Sequence, residues 1–542
     1  MRILSLTLLS FLSYLIALSA AEKPNIIFFL VDDYEKPETS PYGGNVLTPN
    51  LDRLAAEGML FNNAYVTSTV CTPSRYTMLT GRYAGSSTAK EFLTFFPKGR
   101  QSMPGFNVSL EQDNMNVGNV LARNGYATGF VGKYHVGLEH DEGFFKEAGL
   151  FNIPKNIEYT DELNQHKYRN EKIHRKLIKD RGFTWAKNIY WGNLKDPFKG
   201  HNPEWTTAAA IEFIEEHKDQ PFYLHVCSTL LHGPNGEWHN SLLNRELVTG
   251  EGMIEKPIKS QPSRASVMKR IKAAGLTENE AGYLWMDDGI GVILDKLDEL
   301  GIADNTIFLF VSDHGSSGKG SLFRTKGMEV PCIVRWPNGI KAGTVCDELL
   351  QSTDFVPTWL EVAGAEIPKG YHLDGISLAP LFKNPNQPYR DYVFGEMGGA
   401  RSIKTKDWNL ITLRYPKYII AYEDRKLKQL TGLSGGISRA GYTHKYAFDT
   451  DQLYHLGRDP GEQVNLAGDP EHAIQLKKMM RTLSAVLEGF PDHPYGELFP
   501  GGDTTGPEEA AALLKRVKIA YGPDAKSKKR LLKRQRKKKK KN

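Results

Sequence analysis

Cysteine is scarce in this chain, with Cys71, Cys227, Cys332 and Cys346 the only four thiols in 542 residues. That excludes a disulfide scaffold as the source of stability. A chain of this length with 40% hydrophobic residues buries a core without one. The sequence permits a Cys332–Cys346 bridge without establishing it. Long apolar runs are equally rare. The one present opens the chain, behind Arg2, and ends in the small residues Ala17, Ser19, Ala20 and Ala21. It reads as a secretory signal peptide over 1–21, being too short for an uncleaved anchor and lacking basic flanking residues at its end. The mature protein is therefore expected to be soluble and secreted or periplasmic. Internal repeats are absent. Acidic residues are missing from 526–541, KSKKRLLKRQRKKKKK, which holds twelve lysines and arginines. Without those twelve and Arg2, 56 basic residues face 63 acidic ones, so the net charge of +6 belongs to the tail and not to the body. Such a run repels itself and stays disordered. It suits a solvated tail, or an attachment to an anionic polysaccharide, a membrane surface or nucleic acid. A secreted chain makes nucleic acid the less natural partner.

What is present points to an α/β architecture. PNIIFFLVDD (24–33) and NTIFLFVSDHG (305–315) are continuous apolar runs ending in polar pairs. Runs of that kind suit strands buried on both faces of a parallel sheet. PFYLHVCS (221–228) and YATGFVG (126–132) read as further core strands. Thr48-Pro49 opens a helix that Gly58 stops, and 281–300 carries apolar residues at helical spacing. Strands alternating with helices predict a mostly parallel sheet flanked by helices, with ligands beyond the carboxyl ends of the strands. From about residue 390 short strand candidates at 401–413, 415–423 and 451–460 precede a helix candidate at 472–490, predicting a smaller α+β unit with an antiparallel sheet. The expected division is 22–388, 389–500 and an extension from 501 to 542. Residues 155–200 and 233–280 are polar with weak patterning, and insertions of that length place substrate recognition there.

Asp32-Asp33 and Asp313-His314 close two core strands about 280 residues apart. Either pair alone reads as a cap or a turn. Together, at matching strand ends, they can converge on a cation. Carboxylates favour Ca²⁺ or Mg²⁺, and the imidazole of His314 admits Mn²⁺ or Zn²⁺. CTPSRYTMLTGR (71–82) places Arg75 four residues after Cys71. Arg75 favours a nearby anion, while a buried thiol with an unrelated surface arginine is the plainer reading of the segment alone.

This segment resembles the sulfatase signature Cys-x-Pro-Ser-Arg followed by Leu-Thr-Gly, matched by Cys71, Pro73, Ser74, Arg75, Leu79, Thr80 and Gly81. TPNLDRLAAEGMLFNNAY (48–65), GYATGFVGKYHVG (125–137) and DNTIFLFVSDHG (304–315) are similar to the same family, and LYHLGRDPGEQVNLA (453–467) echoes its C-terminal region. The resemblance implies an alkaline phosphatase-like fold and hydrolysis of sulfate esters. It also implies that a maturation enzyme oxidises Cys71 to formylglycine. A hydrated aldehyde offers one hydroxyl as nucleophile and a second that expels the sulfate, an exit that a thiol lacks.

By the same resemblance Asp32, Asp33, Asp313 and His314 are metal ligands together with the residue at Cys71, usually for Ca²⁺, with Mg²⁺ or Mn²⁺ as alternatives. The family often has Asn where His314 stands. Arg75 holds the modified side chain, Lys133 binds sulfate, and His135 acts as base on the hydrate. His232 stands near the leaving oxygen as donor or general acid. Lys319 matches the last lysine by its GKGSL context, with Lys326 as the alternative because the spacing to Pro331 is one residue longer than the family's usual pattern. The expected substrate is a sulfated carbohydrate. Two other functions remain open: a phosphodiester or phosphonate monoester hydrolase of the same superfamily, and a non-catalytic polyanion-binding protein. Asn107-Val-Ser109 is a glycosylation sequon.

Overall fold

The computed structural model describes residues 23–137, 146–154, 157–233, 235–414, 444–446, 449–490 and 492–496. The leader, the strand candidate at 415–423 and the basic extension lie outside them. The chain builds a large sheet from β1 (Asn25–Val31), β2 (Met59–Tyr65), β3 (Ala127–Lys133), β4 (Trp185–Tyr190), β5 (Phe222–Cys227), β8 (Thr306–Ser312), β9 (Cys332–Arg335) and β10 (Thr344–Gln351). A two-stranded ribbon, β6 (Val248–Thr249) with β7 (Gly252–Met253), lies apart. The order in the large sheet is β10-β2-β9-β8-β1-β5-β3-β4, and every pairing is parallel except the two made by β9.

All seven residues of β1 are buried because helices cover both faces of the sheet. Ile26, Phe28 and Leu30 pack with Tyr76, Phe355 and Trp359 on one side. Ile27, Phe29 and Val31 pack with Phe213, Trp285 and Ile290 on the other. Four strand predictions therefore stand within a residue or two, as do helices Pro49–Glu57 and Ala281–Glu299. Thr48 takes the cap position of the first helix, but its hydroxyl bonds Ser40 Oγ at 2.7 Å and not the helix amides.

Other readings need correction. The polar stretches are largely regular: Asp161–Asp180 is a 20-residue helix, β4 forms the sheet edge, and Asn235–Asn244 and Arg264–Ala273 are helices. Cys332 and Cys346 are both buried free thiols, so no bridge joins them. Asn107 is buried, and its Nδ2 donates to Met103 O at 3.0 Å, which leaves the sequon no room for a glycan.

A smaller antiparallel sheet runs in the order β11 (Val393–Met397), β12 (Ala400–Lys404), β13 (Trp408–Leu413) and β14 (Asp451–His455). Helix Ala473–Leu487 covers one face through Met479, Leu483 and Leu487. The other face packs on Val70, Leu322, Phe323 and Met328, beside the carboxyl end of β8.

Candidate active site

Parallel strands aim their carboxyl ends at one edge, and most of the expected residues gather there. Asp32 and Asp33 follow β1, Asp313 and His314 follow β8, and Lys133 ends β3. Cys71 is the first residue of helix Cys71–Thr80. That N-terminus favours negative charge on whatever the side chain becomes. Gly132 shows how tightly β3 delivers Lys133: its φ is +87°, and a Cβ there would stand 1.9 Å from Cys227 O.

Cys71 Sγ lies 3.3 Å from His314 Nε2, 3.5 Å from Asp32 Oδ1, 3.6 Å from Lys319 Nζ and 3.7 Å from Lys133 Nζ. Lys133 is ion-paired with Asp32, and both side chains are fully buried. Arg75 donates through Nε to Asp313 Oδ2 at 3.0 Å and through Nη1 to Lys133 O at 2.9 Å, with Nη2 3.6 Å from Asp32 Oδ1. Ser74 Oγ donates to Asp313 O at 2.5 Å. His232 stands at the mouth, 4.0 Å from Asp33 Oδ2. His135 follows β3 in a left-handed conformation, φ +50°, its ring 5.9 Å from that of Phe106. Lys319 reaches the centre together with Lys133; the side chain of Lys326 lies outside the described residues.

The electrostatics follow from burial. Burial alone would raise the Asp32 carboxyl, but Lys133, His232, Arg75 and Lys319 hold it well below the usual carboxylate range. Burial opposes charge on Lys133, and Asp32 with Cys71 overcomes it and raises the ammonium pKa. Burial and Asp32 oppose a thiolate at Cys71, yet Lys133, Lys319 and His314 pull the thiol well below its ordinary value. Residue 71 thus sits in a pocket built to stabilise an anion.

One donor from each of Asp32, Asp33, Cys71 and His314 lies within 4.8 Å of the others, all four residues buried. Two carboxylates, an imidazole and the side chain at 71 fit a divalent cation. Asp313 is turned differently: its Oδ1 accepts from Asp33 N at 3.1 Å and its Oδ2 is held by Arg75.

Two contributors escaped the sequence reading. His201 is buried with Nδ1 2.9 Å from Thr229 Oγ1, and burial with neighbouring His232 lowers its pKa to about 3, so it is neutral. Glu35 Oε1 accepts from Ser316 Oγ at 3.1 Å and from Ser317 N, bracing the turn before Lys319. Nothing in HNPEW or DDYEK marks either residue; only the folded chain brings them to the site. A small indentation lies beside His232, lined also by Asn193, Lys199, His201 and Thr229.

Residues 24–365 match the model of the sulfatase family, and 313–434 match that of the N-sulphoglucosamine sulphohydrolase C-terminal region. An ulvan-active sulfatase of Formosa agariphila is 25% identical over 480 residues, covering 87% of this chain and 81% of the relative. An N-acetylglucosamine-6-O-sulfatase of Bacteroides thetaiotaomicron is also 25% identical, covering 87% and 88%. A solved structure described as a complex with the substrate D-glucosamine-2-N,6-O-disulfate superposes with a TM-score of 0.56 at 21% identity, covering 90% of this chain and all of that one. The fold is alkaline phosphatase-like, and the chain belongs to the sulfatase family, the sulfuric ester hydrolases.

Proposed function

We propose that the protein is a secreted sulfatase that removes sulfate from a carbohydrate, with formylglycine formed from Cys71 and a divalent cation, Ca²⁺ in the first place and Mg²⁺ or Mn²⁺ in the second. The observation that carries this reading is the convergence of two lysines, His314 and Asp32 within 3.7 Å of Cys71 Sγ. A sulfate ester at residue 71 would meet two fixed ammonium groups in a site nearly closed to water, where they oppose charge far better than they would in solvent.

Asp32, Asp33, His314 and the side chain at 71 would hold the cation, with Asp313 completing the set after a small turn of its carboxylate. When bound, the cation supplies Lewis-acid polarisation and favours ionisation of an oxygen on residue 71. Arg75 keeps Asp313 and the Lys133 carbonyl in register. Lys133 and Lys319 bind the nonbridging sulfate oxygens. His232, at the mouth, hands a proton to the leaving alcohol, and His135 takes one from the hydrate hydroxyl. Burial lowers the His232 pKa, partly offset by Asp32 and Asp33. The two carboxylates favour the protonated imidazole that a general acid requires, against burial.

Several features support a carbohydrate substrate. The relatives named above include an ulvan-active and an N-acetylglucosamine-6-O-sulfatase, and the structural neighbour holds a sulfated glucosamine. The surface beside His232 presents amide, ammonium, imidazole and hydroxyl groups suited to sugar hydroxyls. The apolar leader supports export, and the basic tail would hold the enzyme near an anionic polymer or surface. A maturation enzyme must act on Cys71.

The test is a panel of sulfated mono- and oligosaccharides, an aryl sulfate, a phosphodiester and a phosphonate monoester, offered to protein produced with a formylglycine-generating enzyme. Sulfate release from a saccharide is expected. Turnover of aryl sulfate alone overturns the carbohydrate assignment, and turnover of phosphorus esters alone overturns the sulfatase reading.

A further inference from the structure

The turn that carries Lys319 is held from two sides. On the large-sheet side, Gly320 N donates to Thr69 O at 3.0 Å, and Ser321 N donates to Gly318 O at 2.8 Å. Past Ser321 the chain runs beneath the small sheet, where Leu322 and Phe323 are buried against Val70 and Tyr454. Three fully buried polar side chains, Lys404, Asn409 and Glu462, meet it there. Leu322 O accepts from Lys404 Nζ at 3.4 Å and from Asn409 Nδ2 at 3.3 Å. Arg324 N donates to Glu462 Oε2 at 2.7 Å, and Asn409 Nδ2 also donates to Glu462 Oε1.

Glu462 is itself held in an uncommon way. Its φ is +58°, a left-handed conformation that is strained for a residue with a Cβ. His444 Nε2 bonds its carbonyl at 2.7 Å. Burying two opposite charges contributes little to stability, since apolar residues of the same volume often do as well. What a buried hydrogen-bonded network does provide is a fixed position. Burial pushes the Glu462 carboxyl up, against the pull of Lys404, Asn409 and the Arg324 amide, and burial lowers Lys404 to about 8.

We propose that Glu462 and Lys404 are positioning residues for sulfate-ester hydrolysis: from the small sheet they fix Leu322 and Arg324, and through them the turn that points Lys319 at Asp33 and residue 71. The proposal rests on the role given above to Lys319. It also gives a task to the 453–467 segment, which otherwise lies away from the chemistry.

Glu462→Gln keeps the side-chain volume but leaves one acceptor oxygen where two N–H donors converge. In the full chain, kcat/KM on the best sulfate ester is measured for wild type, Glu462→Gln, Lys319→Ala and the double variant. Amide hydrogen exchange is followed over 315–328. Glu462→Gln is expected to lower kcat/KM by about 10–100-fold, and the double variant to lose no more than Lys319→Ala alone. Exchange at 316–324 is expected to quicken while β1 and β8 keep wild-type rates. Losses that multiply in the double variant, or unchanged exchange at 316–324, overturn the proposal. Should Glu462→Gln fail to fold, Asn409→Ala enters the same cycle, since it removes a donor to both Leu322 and Glu462. If the wild type hydrolyses no sulfate ester, the reading of the site falls, and the exchange rates at 316–324 alone then decide for or against the positioning role.

Discussion

Lys319 and Asp33, 286 residues apart in sequence, form an ion pair in which Nζ lies 2.8 Å from Oδ1 and 3.1 Å from Oδ2. The pair ties the turn after β8 to the end of β1. It also sets an ammonium 3.6 Å from Cys71 Sγ, where the fully buried Lys133 places a second at 3.7 Å. A sulfate carried on residue 71 would lie within reach of both ammonium groups.

Asp33 therefore serves both Lys319 and the candidate cation site. Asp33→Asn is expected to lower the bound metal per chain and to cut sulfate release by about 10²-fold or more, read by elemental analysis and initial rates on the same samples. Chelation of the wild type should abolish activity, and the order in which Ca²⁺, Mg²⁺ and Mn²⁺ restore it identifies the ion. Full activity after exhaustive chelation would remove the cation from the account.

Arg75 reaches Asp313 through Nε and the Lys133 carbonyl through Nη1 at once. Arg75→Lys keeps the charge but not the planar fork. It is expected to reduce kcat about 10²-fold with a smaller change in KM, measured by steady-state kinetics on protein whose residue 71 is fully converted. A change confined to KM would mean that Arg75 acts on substrate binding alone.

Gly132 permits β3 to turn Lys133 into the site. In Gly132→Ala the new Cβ would overlap Cys227 O, and the residue would have to keep φ +87°. Unfolding in urea is expected to show a loss of about 3 kcal/mol. A loss below about 0.5 kcal/mol would show that the strand relaxes without cost.

Glu396, on β11, is fully buried, with Oε1 accepting from Gly85 N at 2.8 Å. Burial pushes its carboxyl up to about 7, though Arg401 opposes this. A carboxyl whose folded pKa is raised contributes stability that is complete below the unfolded value near 4.5 and is lost as pH rises through about 7. Glu396→Gln cannot titrate. Melting temperatures across a pH series should show the variant gaining on the wild type between pH 4.5 and 7.5, by at most about 3 kcal/mol. A gap that does not change with pH would contradict the shift.

The legible parts of this protein were those where one local signal suffices. β1 and β8 are unbroken apolar runs ended by acids, so both the strand and its functional end could be read together. β4 and the helix Asp161–Asp180 could not. The strand WAKNIY lies at a sheet edge, and the helix buries only Asn170, Glu171, His174 and Ile178, so neither carries an apolar period. The centre was legible because its residues fall in short matched motifs. His201, Glu35 and Glu462 are single polar residues whose burial and partners come from contacts distant in sequence, and local sequence carries no trace of those. Asp313 is a subtler case: its place was foreseen, but not that Arg75 and the Asp33 amide would hold both of its oxygens.

The most direct test compares preparations made with increasing amounts of maturation enzyme. In each, the fraction of Cys71 converted to formylglycine is read by mass spectrometry and the initial rate of sulfate release is measured, with Cys71→Ala as the blank. The rate is expected to rise in proportion to the converted fraction and to vanish at zero conversion and in Cys71→Ala. Sulfate release by the unconverted chain or by Cys71→Ala, or none from any sulfate ester at full conversion, would contradict the account.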